Sequence, residues 1–370
     1  LPKSVRSLGI SAFERCYSMD SIYIPPLLSS MGEKVFYCNP LKTIIVDKAN
    51  SYFDSRNCNA IIETATNTLL WGSPSTIIPN YIKTLGNGCF SGRDRTSIDI
   101  PNSVVCIGED AFFANDSLQS IAIPNSVQCI HKYAFNGCCN LKSITLGRNV
   151  RHLGYSAFGI DWYIKEIHYL GTMDDWCHIQ FDSEDANPLM FQAELYIDNK
   201  LVTDIRLPRD LKRVNKYAFY NYNSATCITL GDSIQYISDS AFCNCYNIHS
   251  IKSYSLLPPF VGTDAFANMD TASYEFYAYV YPFVIPIYEQ TEGWNHFRYL
   301  PISADTVPME GQQPIVEPTR TTVTFTWPYI EDAWCYRIEI YYPGQRLPFL
   351  TADFDFQGCI NRAPSTSTVP

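Results

Sequence analysis

The residues of this chain that could do metal or acid–base chemistry are six histidines, fourteen cysteines and a few close-set aspartates. His131, His152, His168, His178, His249 and His296 are scattered. None lies in the His-Glu-X-X-His spacing that sets two imidazoles and a general base on one helix face. No Cys-X-X-Cys pair is matched by a second at zinc spacing, and Cys243-Asn244-Cys245 leaves a single residue between its thiols. Asp174-Asp175 and the stretch from Asp182 to Asp185 carry charge enough for calcium or for paired glycosidase carboxylates, but solvated charge on a loop accounts for them. The Gly-X-Ser-X-Gly elbow, the Gly-X-X-X-X-Gly-Lys-Ser/Thr phosphate loop and the dinucleotide fingerprint are absent. The expectation is a protein that is not an enzyme, with no catalytic, metal-binding or cofactor-binding residues and no cofactor.

The elements that would position any site follow from a repeated phrase. Phe13, Phe36, Phe90, Phe112, Phe135, Phe158, Phe219, Phe242 and Phe266 recur at 22 to 24 residues within unbroken runs, with Ala in front at seven of the nine. Such a period marks a solenoid. Downstream of each Phe comes an alternating pair, as in Ile121/Ile123, Ile144/Leu146 and Ile228/Leu230, the period-2 pattern of a strand with one buried face. A second short inward segment, Val104 to Ile107 and its copies, precedes a Gly-X-X-Ala-Phe bend. One repeat cannot bury its own strand, so copies must stack. Parallel strands about 4.8 Å apart place nine rungs over roughly 40 Å in a curved right-handed coil with a Phe and Ile ladder inside.

The repeat phase also explains the cysteines. Cys16, Cys138 and Cys245 stand three residues after a repeat Phe, and Cys106 and Cys129 both directly precede a repeat Ile. Cysteine locked to a phase reads as a small buried hydrophobe, so free thiols are expected. Cys106 and Cys129 fall on neighbouring rungs, where bonding is a matter of geometry. His131 and His152 fall at neighbouring repeat phases, and exposed rung positions account for them.

Two gaps, Phe36 to Phe90 and Phe158 to Phe219, break the period and imply insertions near 45–80 and 160–205. In the first, Ala60 to Thr64 and Thr68 to Trp71 flank Ala65-Thr66-Asn67 as a β-hairpin. In the second, Leu195 to Val202 turns at Asp198-Asn199 as another, and Tyr169 to Gln180, with Trp176, reads as a short edge helix. Residues 272–303 read as a C-terminal cap, completing a 1–303 solenoid. Pro308, Pro314 and Pro318 mark a linker at 304–320. Within 321–370, Thr322 to Trp327 and Tyr336 to Ile340 alternate as strands of a small β-sandwich-like segment.

Composition bounds the partners. A 46% hydrophobic and 14% aromatic content supports a packed array and rules out wholesale disorder. A net charge of −10, with no Lys/Arg run longer than two, argues against nucleic acid or an anionic membrane surface. The most lipid-like stretch, the 13 residues from Phe276 to Tyr288, holds Pro282 and Pro286 and is shorter than the roughly 20 needed to span a bilayer. The chain opens inside a repeat, so any secretion signal is expected to precede it.

The unit Ile-Pro-Asn-Ser-Val-X-X-Ile-Gly-X-X-Ala-Phe-X-X-Cys-X-X-Leu-X-X-Ile, clearest from Ile100 to Ile144, resembles the BspA-type leucine-rich repeat of bacterial surface proteins over about 300 residues. The segments Cys58 to Leu69 and Trp176-Cys177 to Asn187-Pro188-Leu189 resemble insertions of Bacteroides-type members. Val35, Cys89 and the second gap depart from the pattern. Val323 to Ile340 is similar to the opening of a fibronectin type III domain, with Trp327 and Tyr336 at inner positions, although only about 50 residues follow the linker where that fold needs about 90 to 100. The resemblance implies a β-rich leucine-rich-repeat solenoid, secreted or held at the cell surface, in a family some of whose members act as adhesins for host matrix proteins or other bacteria.

Recognition chemistry then belongs on the outer ladder face. Ser120, Ala122, Ser143, Thr145 and Thr229 are small or hydroxylated there and form a flat face for a broad protein or glycan partner. Trp71, Trp162, Trp176 and Trp294 lie outside the ladder, and Trp71 and Trp176 are taken as candidate anchors or sugar-stacking rings, with a local core role as the competing reading. The expected function is a scaffold binding extracellular or surface proteins. The alternatives are a glycan-binding module of a nutrient-capture system and a noncatalytic arm of a larger enzyme.

Overall fold

In the two clearest repeats the chain turns at Pro-Asn-Ser-Val, where the Val104 N–H donates to the Pro101 carbonyl at 3.1 Å and Val127 to Pro124 at 3.1 Å. That turn feeds a two-residue strand, a bend carrying the buried Phe, and a longer strand. A computed structural model describes residues 1–302 except 93, 94, 161, 162, 272 and 274, and beyond them the strands Ile315–Pro318, Val323–Thr326, Cys335–Ile340, Leu350–Asp355 and Ser367–Val369. The molecule is mostly β, a solenoid of stacked coils. Its two units are 1–302 and 303–370.

The longer strands stack as a first ladder, all parallel. Ser21–Ile24 pairs with Thr43–Val46. Ser120–Ala122, Ser143–Leu146, Glu166–Tyr169 and Glu194–Ile197 follow one another in register, and a second run comprises Asp204–Arg206, Cys227–Leu230, Ser250–Ser253, Tyr277–Val280 and Tyr299–Pro301. The short strands form a second ladder that includes Thr84–Leu85, Cys106–Ile107, Cys129–Ile130, His152–Leu153 and Gln180–Phe181. Ile121, Ile123, Ile144, Leu146, Ile228 and Leu230 are buried, as the alternation requires.

The bend is itself hydrogen-bonded from rung to rung. The N–H of Phe90, Phe112, Phe135, Phe219 and Phe242 donates to the carbonyl of the Ala that precedes the next Phe, at 2.7 to 2.9 Å. Every one of the nine repeat Phe residues is flanked, two before and two after, by a residue of positive φ, from Ser11 and Arg15 around Phe13 to Asp264 and Asn268 around Phe266. These paired left-handed residues fold the bend so that the ring enters the core. Rings on neighbouring rungs stack: Phe112 on Phe135 at 5.0 Å, Phe135 on Phe158 at 5.3 Å, and Phe219 on Phe242 at 5.3 Å, each within 5° of parallel.

Both expected hairpins form. Ala60–Glu63 and Thr68–Gly72 pair antiparallel, and the second of these strands then pairs in parallel with Thr84–Leu85, so the insertion extends the second ladder. Its two faces serve two cores. The cross-strand pair Ile61 and Trp71 joins an N-terminal cluster with Phe36 and Ile44, whereas Ile62 and Leu69 join the main cluster. Gly72 is needed at the junction, because a Cβ there would fall 2.1 Å from the Phe90 ring. Glu194–Ile197 and Lys200–Leu201 form the second hairpin, turning at Asp198 and Asn199, both of φ near +57°. The expected helix is shorter than the sequence suggests. It covers Met173–Cys177 behind a Thr172 and Asp175 capping box, and Tyr169 ends a ladder strand instead.

In the second unit, Val323–Thr326 and Cys335–Ile340 are strands, each in an antiparallel pairing. Ile315–Pro318, within the segment expected to be linker, pairs with Val323–Thr326. Trp327 lies outside the described residues.

Candidate binding face

Strand alternation sends every second residue of the first ladder outward, and parallel register turns those residues into rows. One row runs Ser120, Ser143, Glu166, Glu194 and its neighbour runs Ala122, Thr145, His168, Tyr196. Four of the sequence-expected residues, Ser120, Ala122, Ser143 and Thr145, therefore share one surface, each exposed or half-buried. Thr229 belongs to the other run, in the row Arg206, Thr229, Lys252, Tyr279, and its hydroxyl donates to Asp204 Oδ1 at 3.3 Å.

The rows carry four residues that sequence reasoning missed. His168 and Tyr196 stack with ring centroids 4.9 Å apart and planes 16° from parallel. Glu166 and Glu194 face each other on the same two rungs. His168 Nε2 lies 3.2 Å from Glu166 Oε2, and Tyr196 donates its hydroxyl to Glu194 Oε2 at 2.6 Å. That hydrogen bond pushes the Tyr196 hydroxyl above its ordinary range, so it stays a neutral donor. The result is an outward aromatic step flanked by two carboxylates, none of it required by the core. The signal was present: Ile167 and Leu195 hold the inward phase.

The tryptophan expectation is corrected. Trp71 is 1% exposed, Trp176 0% and Trp294 0%, so none can meet a sugar ring or a partner. All three sit where the Phe stack breaks or ends. Trp71 packs on Phe36 at 6.0 Å. Trp176 packs on Tyr169 and Phe181 in the second gap and donates Nε1–H to the Ala218 carbonyl at 2.9 Å. Trp294 closes the far end against Phe266 at 5.5 Å, with Nε1–H on the Pro259 carbonyl. Trp162 lies outside the described residues.

The aspartates of the second insertion have structural partners. Asp175 accepts from the Thr172 amide and hydroxyl and from Arg151 at 2.9 Å. Asp182 contacts His152, and Asp185 accepts from Ser156 and Ser183. Partial burial raises the Asp175 carboxyl, but the Thr172 hydrogen bonds and Arg151 outweigh it and hold the group below the usual carboxylate range.

A second surface lies along the bends, an open depression of about 550 Å³ whose lining includes Tyr133, Tyr155, Asn136, Asp185, Lys34, Glu109 and Asp110. Tyr133 and Tyr155 meet edge to face at 5.7 Å. Lys34 pairs with Glu109 at 2.8 Å and Asp110 at 2.6 Å. Burial leaves the Asp110 carboxyl raised in spite of Lys34, whereas Lys34 and Lys132 together hold Glu109 low against its own burial.

A parallel-stranded repeat solenoid, its tryptophans Trp71, Trp176 and Trp294 and its insertion aspartates committed to structure, defines a scaffold class. The chain belongs to the BspA type leucine-rich repeat region family, which matches residues 1–67, 73–185 and 194–282 in six copies. The chain is similar to a leucine-rich repeat protein of Eubacterium ventriosum, at 19% identity over 74% of this chain and 65% of that one, with a TM-score of 0.47. It is also similar to a leucine-rich cell surface protein of Faecalibacterium prausnitzii, at 19% identity over 68% and 52%, TM-score 0.34. A third likeness is to a leucine-rich repeat protein of Bacteroides ovatus, at 18% identity over 82% and 71%, TM-score 0.42. The chain thus spans 65% and 52% of the first two. No curated protein matches the sequence. Among the described residues no helix is long and apolar enough to cross a membrane.

Proposed function

We propose that this chain is a noncatalytic scaffold, secreted or held at a bacterial surface, that binds another protein through the outer face of its first ladder. The observation that carries the reading is the His168 and Tyr196 stack between Glu166 and Glu194, standing outward beside flat rows of small residues. An aromatic anchor with adjacent carboxylates suits a partner that presents a basic residue next to an apolar one, and anchors of this kind concentrate binding energy. Family membership supports a scaffold. Adhesion to host matrix proteins or to neighbouring bacteria is the finer reading, and the Val323 to Ile340 strands belong to it as a fibronectin type III-like spacer.

The test is solid-phase binding to purified extracellular-matrix proteins beside a glycan array, for the unaltered chain and the double variant H168A/Y196A. Loss of an anchor costs about 2 kcal/mol, or roughly thirtyfold in affinity, and both side chains are outward, so the melting temperature should hold. Protein binding that the variant leaves untouched would sink this face as the site. The glycan reading has an observation of its own, the tyrosine-lined depression at Tyr133 and Tyr155 beside Asn136 and Asp185. Oligosaccharide binding alone, abolished by Y133A/Y155A and kept in H168A/Y196A, would favour it.

A further inference from the structure

Outward positions of the second ladder bring together three donor atoms from two rungs. Cys106 and Cys129 are direct partners in the parallel register, with Cα atoms 5.0 Å apart, and they are joined as a disulfide. His131 stands two residues beyond Cys129, on the same side of the chain. The two sulfurs and a ring nitrogen of His131 all lie within 4.8 Å of one another. Both cysteines are half-buried and His131 is exposed, so solvent and ions reach the group. Neighbouring rungs carry Gly108 and Gly154 at the phase of His131. His152 follows Cys129 in the row, and its Nε2 is already 2.9 Å from Asp182 Oδ1.

We propose that Cys106, Cys129 and His131 form a redox-gated site for a zinc-class divalent cation, closed while the cysteines are joined and open once they are reduced. Two thiolates and one imidazole are a donor set that borderline metals such as Zn²⁺ prefer, and three protein ligands leave the fourth tetrahedral position to water. Opening needs a thiol reductant. Two equivalents of a low-molecular-weight thiol deliver two electrons and two protons to the S–S bond, giving two Cys thiols and the disulfide of the reductant. Metal binding then releases the two thiol protons as both sulfurs coordinate, while neutral His131 contributes a lone pair and loses nothing. The backbone is in place beforehand, because hydrogen bonds on both sides of the pair fix the rungs: the Gln128 N–H on the Val105 carbonyl at 2.8 Å and the His131 N–H on the Ile107 carbonyl at 2.9 Å.

The experiment is a Co²⁺ titration of the intact chain, followed by ultraviolet and visible absorption, with Zn²⁺ competition. It is run on the oxidised protein and on protein reduced and freed of reductant. The reduced chain is expected to take up one Co²⁺ with a thiolate-to-cobalt charge-transfer band that Zn²⁺ abolishes, and the oxidised chain none at this site. C106S/C129S should lose that band. H131A, at an exposed position that spares the fold, should bind at least about tenfold more weakly, since loss of even an outer-shell partner costs that much. An unchanged band in C106S/C129S would assign the metal to other thiols, and equal affinity in H131A would remove the histidine. Equal uptake by oxidised protein would remove the gate. Each of these results overturns the proposal.

Discussion

At the scale of single residues, what a cysteine does here is set by its place in the repeat. At four bends the residue three after Phe carries a donor that reaches the carbonyl of the previous rung's Phe. Cys138 Sγ meets the Phe112 carbonyl at 3.2 Å and Cys245 Sγ that of Phe219 at 3.0 Å. Asn39 and Asn115 do the same with side-chain amides to Phe13 and Phe90. The phase was legible in the sequence and the polar duty was not, because cysteine reads as a hydrophobe until a buried carbonyl is seen to need it. Asp175 supplies a test at this scale. Its folded-state pKa is depressed, so its contribution is complete above the ordinary carboxylate value of about 3.9 and disappears as pH falls through the lower folded-state value. The melting-temperature gap between the unaltered chain and D175N should be full near neutral pH and close in acid once the pH has fallen below the depressed folded-state value. A gap that persists unchanged there would show that Asp175 acts through something other than its charge.

At the scale of elements, the bend is the part that local sequence conceals. Two residues after Phe, Gly92, Gly137, Asn221, Asn244 and Asn268 advertise a left-handed backbone. Two residues before it Gly88, and more weakly Asp110 and Asp264, give the same signal, but Ser, Lys and Tyr at the other six positions do not; the conformation there is imposed by rung-to-rung hydrogen bonds such as Tyr133 N–H to the Tyr155 carbonyl at 3.0 Å. Ile160 is the costliest occupant, β-branched at φ 67° and 57% exposed. Ile160→Gly should therefore raise stability by about 1 kcal/mol, read as a shift of the denaturation midpoint. Destabilisation instead would mean that the side chain packs more than its exposure implies. The binding face shows the same division. Ser120, Ala122, Ser143 and Thr145 follow from alternation alone. Glu166, His168, Glu194 and Tyr196 stayed hidden because the second gap masks two rungs whose inward Ile167 and Leu195 are in phase.

Across the molecule, the tryptophans show why composition misled. A large ring outside the repeat looks available for binding, yet a stack of phenylalanines that stops must be closed by something of greater area, and Trp71, Trp176 and Trp294 do that at two breaks and one end. Trp71 with Ile61 also couples the N-terminal core to the hairpin. Trp71→Ala should cost about 3–5 kcal/mol as a buried cavity and loosen residues 1–46 first. Hydrogen exchange would show faster exchange there while the rungs of Phe112, Phe135 and Phe158 keep their protection. Uniform acceleration over 1–302 would instead mean that the hairpin does not separate two cooperative blocks.

Because the Phe bend donates to the next rung in the same way within each unbroken run, every such rung presents the same donor edge on one side and the same acceptor edge on the other. Duplication or loss of one whole period in the gene, about 23 residues, again joins a donor edge to an acceptor edge and asks for no compensating substitution. Chain length thus becomes a heritable dial turned in whole steps, and the distance from the His168 and Tyr196 step to the Trp294 end can lengthen or shorten over generations while the recognition chemistry stays as it is.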